Sequence, residues 1–356
     1  MRKLTYIIVF AAILPLLWAC DGPVNPSYSV PETYEFENVD FSGQTTRLDM
    51  LSEMTTYMKT GNTQGTILDE QVLLDMFSNT NNPFSFTAEK QLRDKTYELD
   101  RGLYESRMAE LARISAATTE ASNGVAGRLS TADGGSTYLF DEQGMEPLQL
   151  IEKGLMGATF YYQATAVYLS DDKIGPTVDN TTVTPGEGTD MEHHWDEAFG
   201  YLGVPTDFPT NTEGIRFWGK YCDGRDAVLG TNERLMDAFL AGRAAISNDD
   251  TEAKEAAITT VQEVWEEVAA GTAIHYLNGG LANLTDDAKR NHELSEAIAF
   301  VEALKYNPNR KITLDQIDEV LGLIGDNLYE VRVADLNSAI DLLASIYGWE
   351  TEKDSL

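Results

Sequence analysis

The chain has 356 residues, 42% of them hydrophobic and 24% charged, and this length and composition can supply the core of one or two domains. Its formal net charge is −32. This charge argues against nucleic acids as partners, because proteins neutralise phosphates with lysine and arginine rather than with carboxylates. A solvated acidic surface and an attraction of cations are both consistent with the charge.

The first twenty residues have the pattern of an export signal. Arg2 and Lys3 precede an apolar run over residues 6–18, which is too short for an ordinary membrane-spanning helix. The run ends in Leu-Trp-Ala-Cys at 17–20, which resembles the lipobox of bacterial lipoproteins. We therefore predict a signal peptide over 1–19 and a lipid anchor at Cys20 in the cell envelope, on the periplasmic or surface face of the outer membrane. An ordinary secretory signal with a chance cysteine is the alternative.

The next segment, residues 20–44, is proline-rich and aperiodic, which predicts a flexible tether. Beyond it, apolar residues recur at helical spacing, beginning with Leu48, Leu51 and Met54. The predicted helices cover residues 45–60, 67–77, 87–119, 146–169, 232–247, 250–278, 286–306, 313–324 and 334–347. Loops are expected over 122–136 and 170–190, and the second is long enough to act as a lid.

The fold class follows from these helices. Runs of alternating β-branched residues are absent, so we predict an all-α domain over residues 45–347, with roughly ten helices packed as one or two helical bundles. Residues 348–356 are predicted to be a polar tail. Cys222 is the only cysteine left if Cys20 is lipidated, so no internal disulfide can form, and we expect Cys222 to be a small buried hydrophobe.

The stretch over residues 191–205 contains two of the chain's four histidines. If this stretch is helical, Trp195, Phe199 and Leu202 form one apolar stripe that can anchor it in a core. The opposite side would then present imidazole and carboxylate groups to a cleft or to solvent.

Those imidazole and carboxylate groups are the first candidate metal ligands. His194 and Glu197 are three residues apart, the spacing that carboxylate-bridged metal bundles use in the reverse order. We predict these two as ligands, with His193 and Asp196 in reserve or in supporting positions. The alternative is an exposed amphipathic helix on which these groups are only solvated.

A second pair, His292 and Glu296, is four residues apart on a predicted helix. It lies beside Ala299 and Ala303 and away from that helix's bulky stripe, so small residues would let a neighbouring element come close. We predict that this pair meets the first in one cleft and completes a metal site. An alanine-rich exposed face is the alternative.

Two further residues are assigned supporting roles. His275 falls on an apolar stripe with Trp265 and Val268, where a lone histidine is usually a hydrogen-bonded core residue rather than a ligand. Arg243 is one of few cations on its helix and is expected to pair with a carboxylate of the cluster or with an ordinary surface acid.

Residues 214–220 match the first seven positions of a phosphate-binding loop. The eighth position is Tyr221 instead of serine or threonine, two residues inside the loop are too bulky for a backbone cradle, and no strand precedes it. We reject a nucleotide site here and expect Arg216 and Lys220 to be surface or interface charges.

Four runs together resemble a family of Gram-negative envelope lipoproteins of undefined function, and that family is in turn similar to the imelysin-like proteins. The runs are His194-x-x-Glu197, residues 195–201, residues 217–221 and His292-x-x-Ser295-Glu296. Imelysin-like proteins are exported all-α proteins of two bundles, associated with iron uptake, with a Gly-x-His-x-x-Glu motif. His194 and Glu197 match its His and Glu, whereas Glu192 stands in place of its Gly.

The sequence thus favours a non-enzymatic, lipid-anchored binding protein of the cell envelope. Its ligand would be a metal ion or a ligand that bears one; imidazole with carboxylate suits iron or zinc, and the resemblance implies iron and a partner in an envelope uptake system. One alternative is a metallohydrolase with Glu197 or Glu296 as general base, although no catalytic spacing is present. The other is a structural or partner-binding lipoprotein without a metal.

Overall fold

The computed structural model describes residues 27–356; the predicted signal peptide and Cys20 lie outside the described residues. Within that range the chain forms twelve α-helices and one two-stranded sheet, so the predicted all-α class is confirmed. The helices are α1 (Ser42–Thr60), α2 (Glu70–Ser78), α3 (Arg101–Ser115), α4 (Pro147–Leu155), α5 (Asp171–Ile174), α6 (Asp190–Gly200), α7 (Trp218–Leu229), α8 (Thr231–Ser247), α9 (Thr251–Ala282), α10 (Asp287–Ala303), α11 (Leu314–Ile324) and α12 (Val333–Tyr347).

The core is organised around α9, the longest helix. It makes its most extensive contacts with α8 and α10 and also contacts α7 and α12. Its Trp265 is fully buried and meets the rings of Trp218, Tyr161 and Phe239. Because helices surround α9, most of its residues from Val261 onward are apolar or small, as expected for a central helix.

The helix boundaries have local causes. Thr189 and Glu192 form a reciprocal capping box that starts α6, and Thr313 and Gln316 form another that starts α11. Gly230 has a left-handed backbone, with φ of 62°, which ends α7 and lets α8 begin at the next residue.

The predicted helix over 87–119 is wrong in its first half, because α3 begins only at Arg101. Two short 3₁₀ turns, Arg93–Lys95 and Glu98–Asp100, precede it. Thr96 between them is extended, and the Tyr97 N–H donates to the Ala158 carbonyl at 2.8 Å. A hydrogen bond to another element therefore replaces the helical one, which the helical composition of this stretch could not reveal.

The predicted loop over 122–136 contains a strand that the sequence analysis missed. β1 (Gly127–Ser130) pairs antiparallel with β2 (Thr137–Phe140). Each strand has four residues, too few for a clear alternating pattern. Gly127 passes very close to the preceding chain, since a Cβ there would lie 2.1 Å from the Thr119 carbonyl oxygen.

Two other predicted segments gain detail. The helix predicted over 146–169 starts as α4 and continues as two π-helical turns, Met156–Tyr161 and Gln163–Tyr168. The loop after α5 is hydrogen-bonded to the end of α8. The Asn180 amide donates to the Ile246 carbonyl and to Asp249, both at 2.8 Å.

Both ends of the described chain pack on the body. Tyr34, inside the range predicted as tether, is 1% exposed and stacks on Phe199 at 3.8 Å between ring centroids. In the predicted tail, Leu356 is buried and the Asn278 amide donates to the Lys353 carbonyl at 2.7 Å. None of the helices in residues 27–356 combines the length and the hydropathy needed to cross a membrane.

Candidate functional site

Helix α6 carries the first predicted ligands, and its apolar stripe is buried as expected. Trp195 and Leu202 are 0% exposed and Phe199 is 1% exposed. The Trp195 indole donates to the Phe239 carbonyl at 3.0 Å. Its ring lies so close to α8 that a Cβ on Gly242 would be 2.0 Å from it. This contact fixes the position of α6 against α8.

The reserve residue Asp196 belongs to a buried ion-pair network with Arg243. Asp196 Oδ1 accepts from Arg243 Nε at 2.9 Å and from the Tyr34 hydroxyl at 2.8 Å. Arg243, 1% exposed, also contacts Glu192 Oε1 at 2.5 Å. Burial raises the pKa of Asp196, while Arg243 and Tyr34 favour its ionised form. The network joins α6 to α8 and to the segment before α1, and it includes Glu192.

The two predicted ligands on α6, His194 and Glu197, already form hydrogen bonds with other residues of this chain. His194 Nδ1 donates to the Lys173 carbonyl at 2.7 Å, and its Nε2 lies 3.4 Å from the Lys173 ammonium, so Nε2 acts as an acceptor. Burial lowers the pKa of His194, and the Lys173 charge lowers it further. Glu197 Oε1 accepts from the Gln44 amide at 2.8 Å and from the Tyr168 hydroxyl at 3.0 Å. The reserve residue His193 is half-buried, and its Nδ1 has no hydrogen-bond partner in residues 27–356.

The second pair, on α10, lines a cavity. His292 Nδ1 donates to Glu146 Oε2 at 2.6 Å, since a carboxylate can only accept. The imidazole stacks on Tyr138 with centroids 4.1 Å apart. Its Nε2 lies 3.5 Å from Glu296 Oε1. Burial alone would lower the pKa of His292, but the Glu146 and Glu296 carboxylates outweigh burial and raise it.

This cavity, the His292 cavity, has a volume of about 370 Å³. Its other polar side chains include the ion pair of Lys153 and Glu152, whose charged atoms are 2.9 Å apart. Three oxygen atoms of its lining side chains are buried with no hydrogen-bond partner within residues 27–356. They are Glu146 Oε1, Gln149 Oε1 and Glu296 Oε2. Buried acceptors without donors are rare and costly, so the cavity is suited to a ligand that brings donors or positive charge.

The structure does not bring the two predicted pairs together. No hydrogen bond or cavity joins His194 and Glu197 to His292 and Glu296 in the part of the chain that the structure describes. Across residues 27–356, no group of three or more His, Cys, Asp or Glu side chains is arranged to hold a metal ion. Residues 27–356 thus contain no preformed four-ligand site, because each pair contacts its own neighbours, and ligation of a metal by these residues stays a prediction.

Contrary to what the sequence had led us to expect, His275 does not lie in the core. It is exposed rather than part of the core, and partial desolvation of its ring, together with the charge of Arg225, lowers its pKa. Four different helices contact α9, and they leave this position exposed. A period of 3.6 residues alone does not show which positions of a helix its neighbours cover.

Glu146 is the functional candidate that sequence reasoning missed. It precedes Pro147 at the start of α4 and is 1% exposed. The Ser295 hydroxyl accepts from the Glu146 N–H at 2.9 Å, while His292 holds its carboxylate. His292 and Ser295 thus bind one residue through its backbone and its side chain. A buried serine in the middle of α10 was the only local signal for this contact.

Comparison with known proteins gives one result. No curated protein and no solved structure shows significant similarity to the chain. One family profile, described as "Domain of unknown function (DUF4856)", matches residues 31–328. This range includes α6, α10 and every residue discussed around the His292 cavity. The chain therefore belongs to the DUF4856 family.

Proposed function

We propose that this protein is a lipid-anchored binding protein of the cell envelope, which takes its ligand in the His292 cavity. One observation carries the proposal: three of the residues that line this cavity, Glu146, Gln149 and Glu296, each have a buried acceptor oxygen with no hydrogen-bond partner within residues 27–356. Folding normally pairs such atoms, because each unpaired one costs about 1–3 kcal/mol. A ligand that supplies positive charge or hydrogen-bond donors would offset that cost.

A metal ion that enters as part of a larger bound molecule suits this cavity better than a free metal ion. Glu146 orients His292 through Nδ1 and leaves Nε2 for a ligand, an arrangement that is common around metal-binding histidines. The 3.5 Å between His292 Nε2 and Glu296 Oε1 is close to the separation of two donor atoms on one tetrahedral ion. Two protein donors are fewer than structural or catalytic zinc sites use, so a metal-bearing ligand would supply the others. Iron and zinc both accept this donor set.

The lipid anchor is the second part of the proposal, and it rests on the lipobox-like residues 17–20. Metabolic labelling with a palmitate analogue should mark the wild-type protein and leave Cys20→Ser unlabelled. Equal labelling of both would show that Cys20 carries no lipid.

The ligand site can be tested with two matched histidine variants. Purified wild type, His292→Asn and His194→Asn would be titrated with zinc citrate and with ferric citrate, in which the metal brings other ligands with it, followed by elemental analysis after desalting. We expect wild type and His194→Asn to retain metal and His292→Asn to lose at least tenfold in affinity, because only His292 faces the cavity.

Thermal unfolding of each variant without ligand shows whether it is folded before the comparison is made. Metal binding that is lost in His194→Asn and kept in His292→Asn would indicate that the metal site is on α6 and not in the His292 cavity. Absence of retained metal in the wild type would leave the metal part of the proposal without support.

A further inference from the structure

A second cavity, which we call the cationic pocket, adjoins the His292 cavity. Its volume is about 320 Å³. It lies between the last turns of α1, the end of α4 and the start of α7. Lys59, Glu152 and Lys153 line both cavities and form the wall between them. The inference drawn from this pocket goes beyond the proposed function and does not depend on it.

The charge of this pocket is opposite to that of the molecule. The chain has 58 acidic and 26 basic residues, yet the pocket is lined by four cations and one acid. The cations are Lys59, Lys153, Arg216 and Lys220, and the acid is Glu152. Such a local reversal of sign attracts anions into a region that the rest of the surface repels.

Two of the four cations have a carboxylate partner, and the other two have none among residues 27–356. Lys153 pairs with Glu152 at 2.9 Å, and Arg216 pairs with Asp49 at 2.5 Å. Lys59 and Lys220 are exposed and have no carboxylate partner within 4 Å in residues 27–356. Their ammonium groups are therefore free to bind an anion.

A buried hydroxyl gives an independent reason to place a ligand here. Thr55 lines the pocket and is 5% exposed, and its Oγ1 has no hydrogen-bond partner in the described part of the chain. A hydroxyl can donate to an oxyanion. Two lysines and a threonine whose polar groups have no partner within residues 27–356 thus line one cavity.

The backbone beside the pocket is also unusual. Phe217, which precedes α7, has φ of 49° and ψ of −120°, a conformation that non-glycine residues rarely adopt. Phe217 lies between Arg216 and Trp218, one turn before Lys220, so its backbone sets where both cations enter the pocket. Strain of this kind is concentrated at functional sites. We infer that the cationic pocket binds an oxyanion group, a phosphate or a carboxylate, of a small ligand.

The experiment uses the purified protein without added metal and measures binding by calorimetry at constant ionic strength. Inorganic phosphate and malonate are the two probes, with sodium chloride as the background salt. Saturable binding of phosphate alone, of malonate alone or of both would support the site and identify the oxyanion. Absence of saturable binding of either probe would overturn the inference.

Two sets of variants locate the binding. Lys59→Gln combined with Lys220→Gln should weaken binding at least tenfold. The control combines Lys289→Gln with Lys311→Gln, two exposed lysines outside the pocket, and should change affinity less than twofold. Equal weakening in both double variants would mean that only the overall charge matters and would overturn the inference.

Thr55→Val separates binding from folding. Valine has nearly the shape of threonine, so removal of an unpaired hydroxyl should leave the thermal midpoint without ligand unchanged or higher. The same variant should weaken binding of the probe several-fold. Unchanged affinity in Thr55→Val would show that the hydroxyl does not take part. His292→Asn should bind phosphate or malonate normally, so failure of this inference is distinguishable from failure of the proposed function.

Discussion

The His194–Glu197 pair on α6 and the His292–Glu296 pair on α10 contain the same two residue types at nearly the same spacing. On α6, both nitrogens of His194 contact Lys173, and Glu197 accepts two hydrogen bonds from Gln44 and Tyr168. On α10, the histidine lines a cavity in which one oxygen of Glu296 has no donor within residues 27–356. The two pairs differ in whether their polar atoms already have hydrogen-bond partners. This property distinguishes a candidate ligand site from a structural contact better than sequence spacing does.

The largest expected effect tests the structural role of α6. Trp195→Ala should lower the free energy of unfolding by about 3–5 kcal/mol, because its fully buried ring fills the space above Gly242. Chemical denaturation followed by circular dichroism measures this loss. Ile67→Ala is the control, since Ile67 is 68% exposed, and its effect should stay within about 0.5 kcal/mol. A similar small loss for Trp195→Ala would contradict the structural assignment of α6.

A matched glutamine substitution sharpens the comparison. Gln44→Met removes a donor from the Glu197 carboxylate and should cost about 1.5–3 kcal/mol, the range for hydrogen bonds to charged groups. Gln149→Met removes an acceptor that has no donor within residues 27–356, so stability should change by less than about 0.5 kcal/mol or increase.

Both glutamines are at most 5% exposed, so solvent access does not explain the expected difference. Denaturation of the two variants in the same buffer gives the result. If Gln149→Met were as destabilising as Gln44→Met, the Gln149 oxygen would have a partner after all, and the His292 cavity would lose one of its three unpaired acceptors.

The smallest effect is a pair of opposite pKa shifts. In an NMR titration, His292 should titrate above the ordinary histidine value of about 6.5 and His194 below it. The contribution of His292 to stability is then fully present below about pH 6.5 and is lost as the pH rises through its folded-state pKa. The contribution of His194 is present above about pH 6.5 and is lost as the pH falls through its folded-state pKa.

The His292→Asn and His194→Asn variants assign the two resonances in that titration. Shifts of the same sign for both histidines would contradict the expected electrostatic difference between the surroundings of His292 and those of His194. A His292 value below that of His194 would mean that Glu146 does not hold the imidazole in its protonated form.

Much of the fold could be predicted from periodicity, because apolar spacing and caps are local signals. The helix of Leu48, Leu51 and Met54 and the capping box at Thr313 are examples. The break in the helical backbone before α3 could not be predicted, since the Tyr97 N–H donates to Ala158 on a different element. The strand β1 was too short to show a pattern.

The candidate site was harder to predict than the fold. The sequence indicated His292 and Glu296 as a pair, but the residue that orients the imidazole, Glu146, is 146 positions away. Spacing along one helix indicates which side chains share a face, and it does not indicate which element covers that face. For the same reason we predicted His194 as a ligand, although Lys173 on α5 contacts both of its ring nitrogens.

Cys222 gives the protein a built-in reporter of unfolding. Its side chain is 0% exposed, and burial raises the pKa of the thiol to about 12, so native molecules present almost no thiolate to an alkylating reagent. Lipidation would block the sulfur of Cys20, and Cys20→Ser removes it. The rate at which such a protein is alkylated then measures how often the packing around α7 opens, without any engineered label.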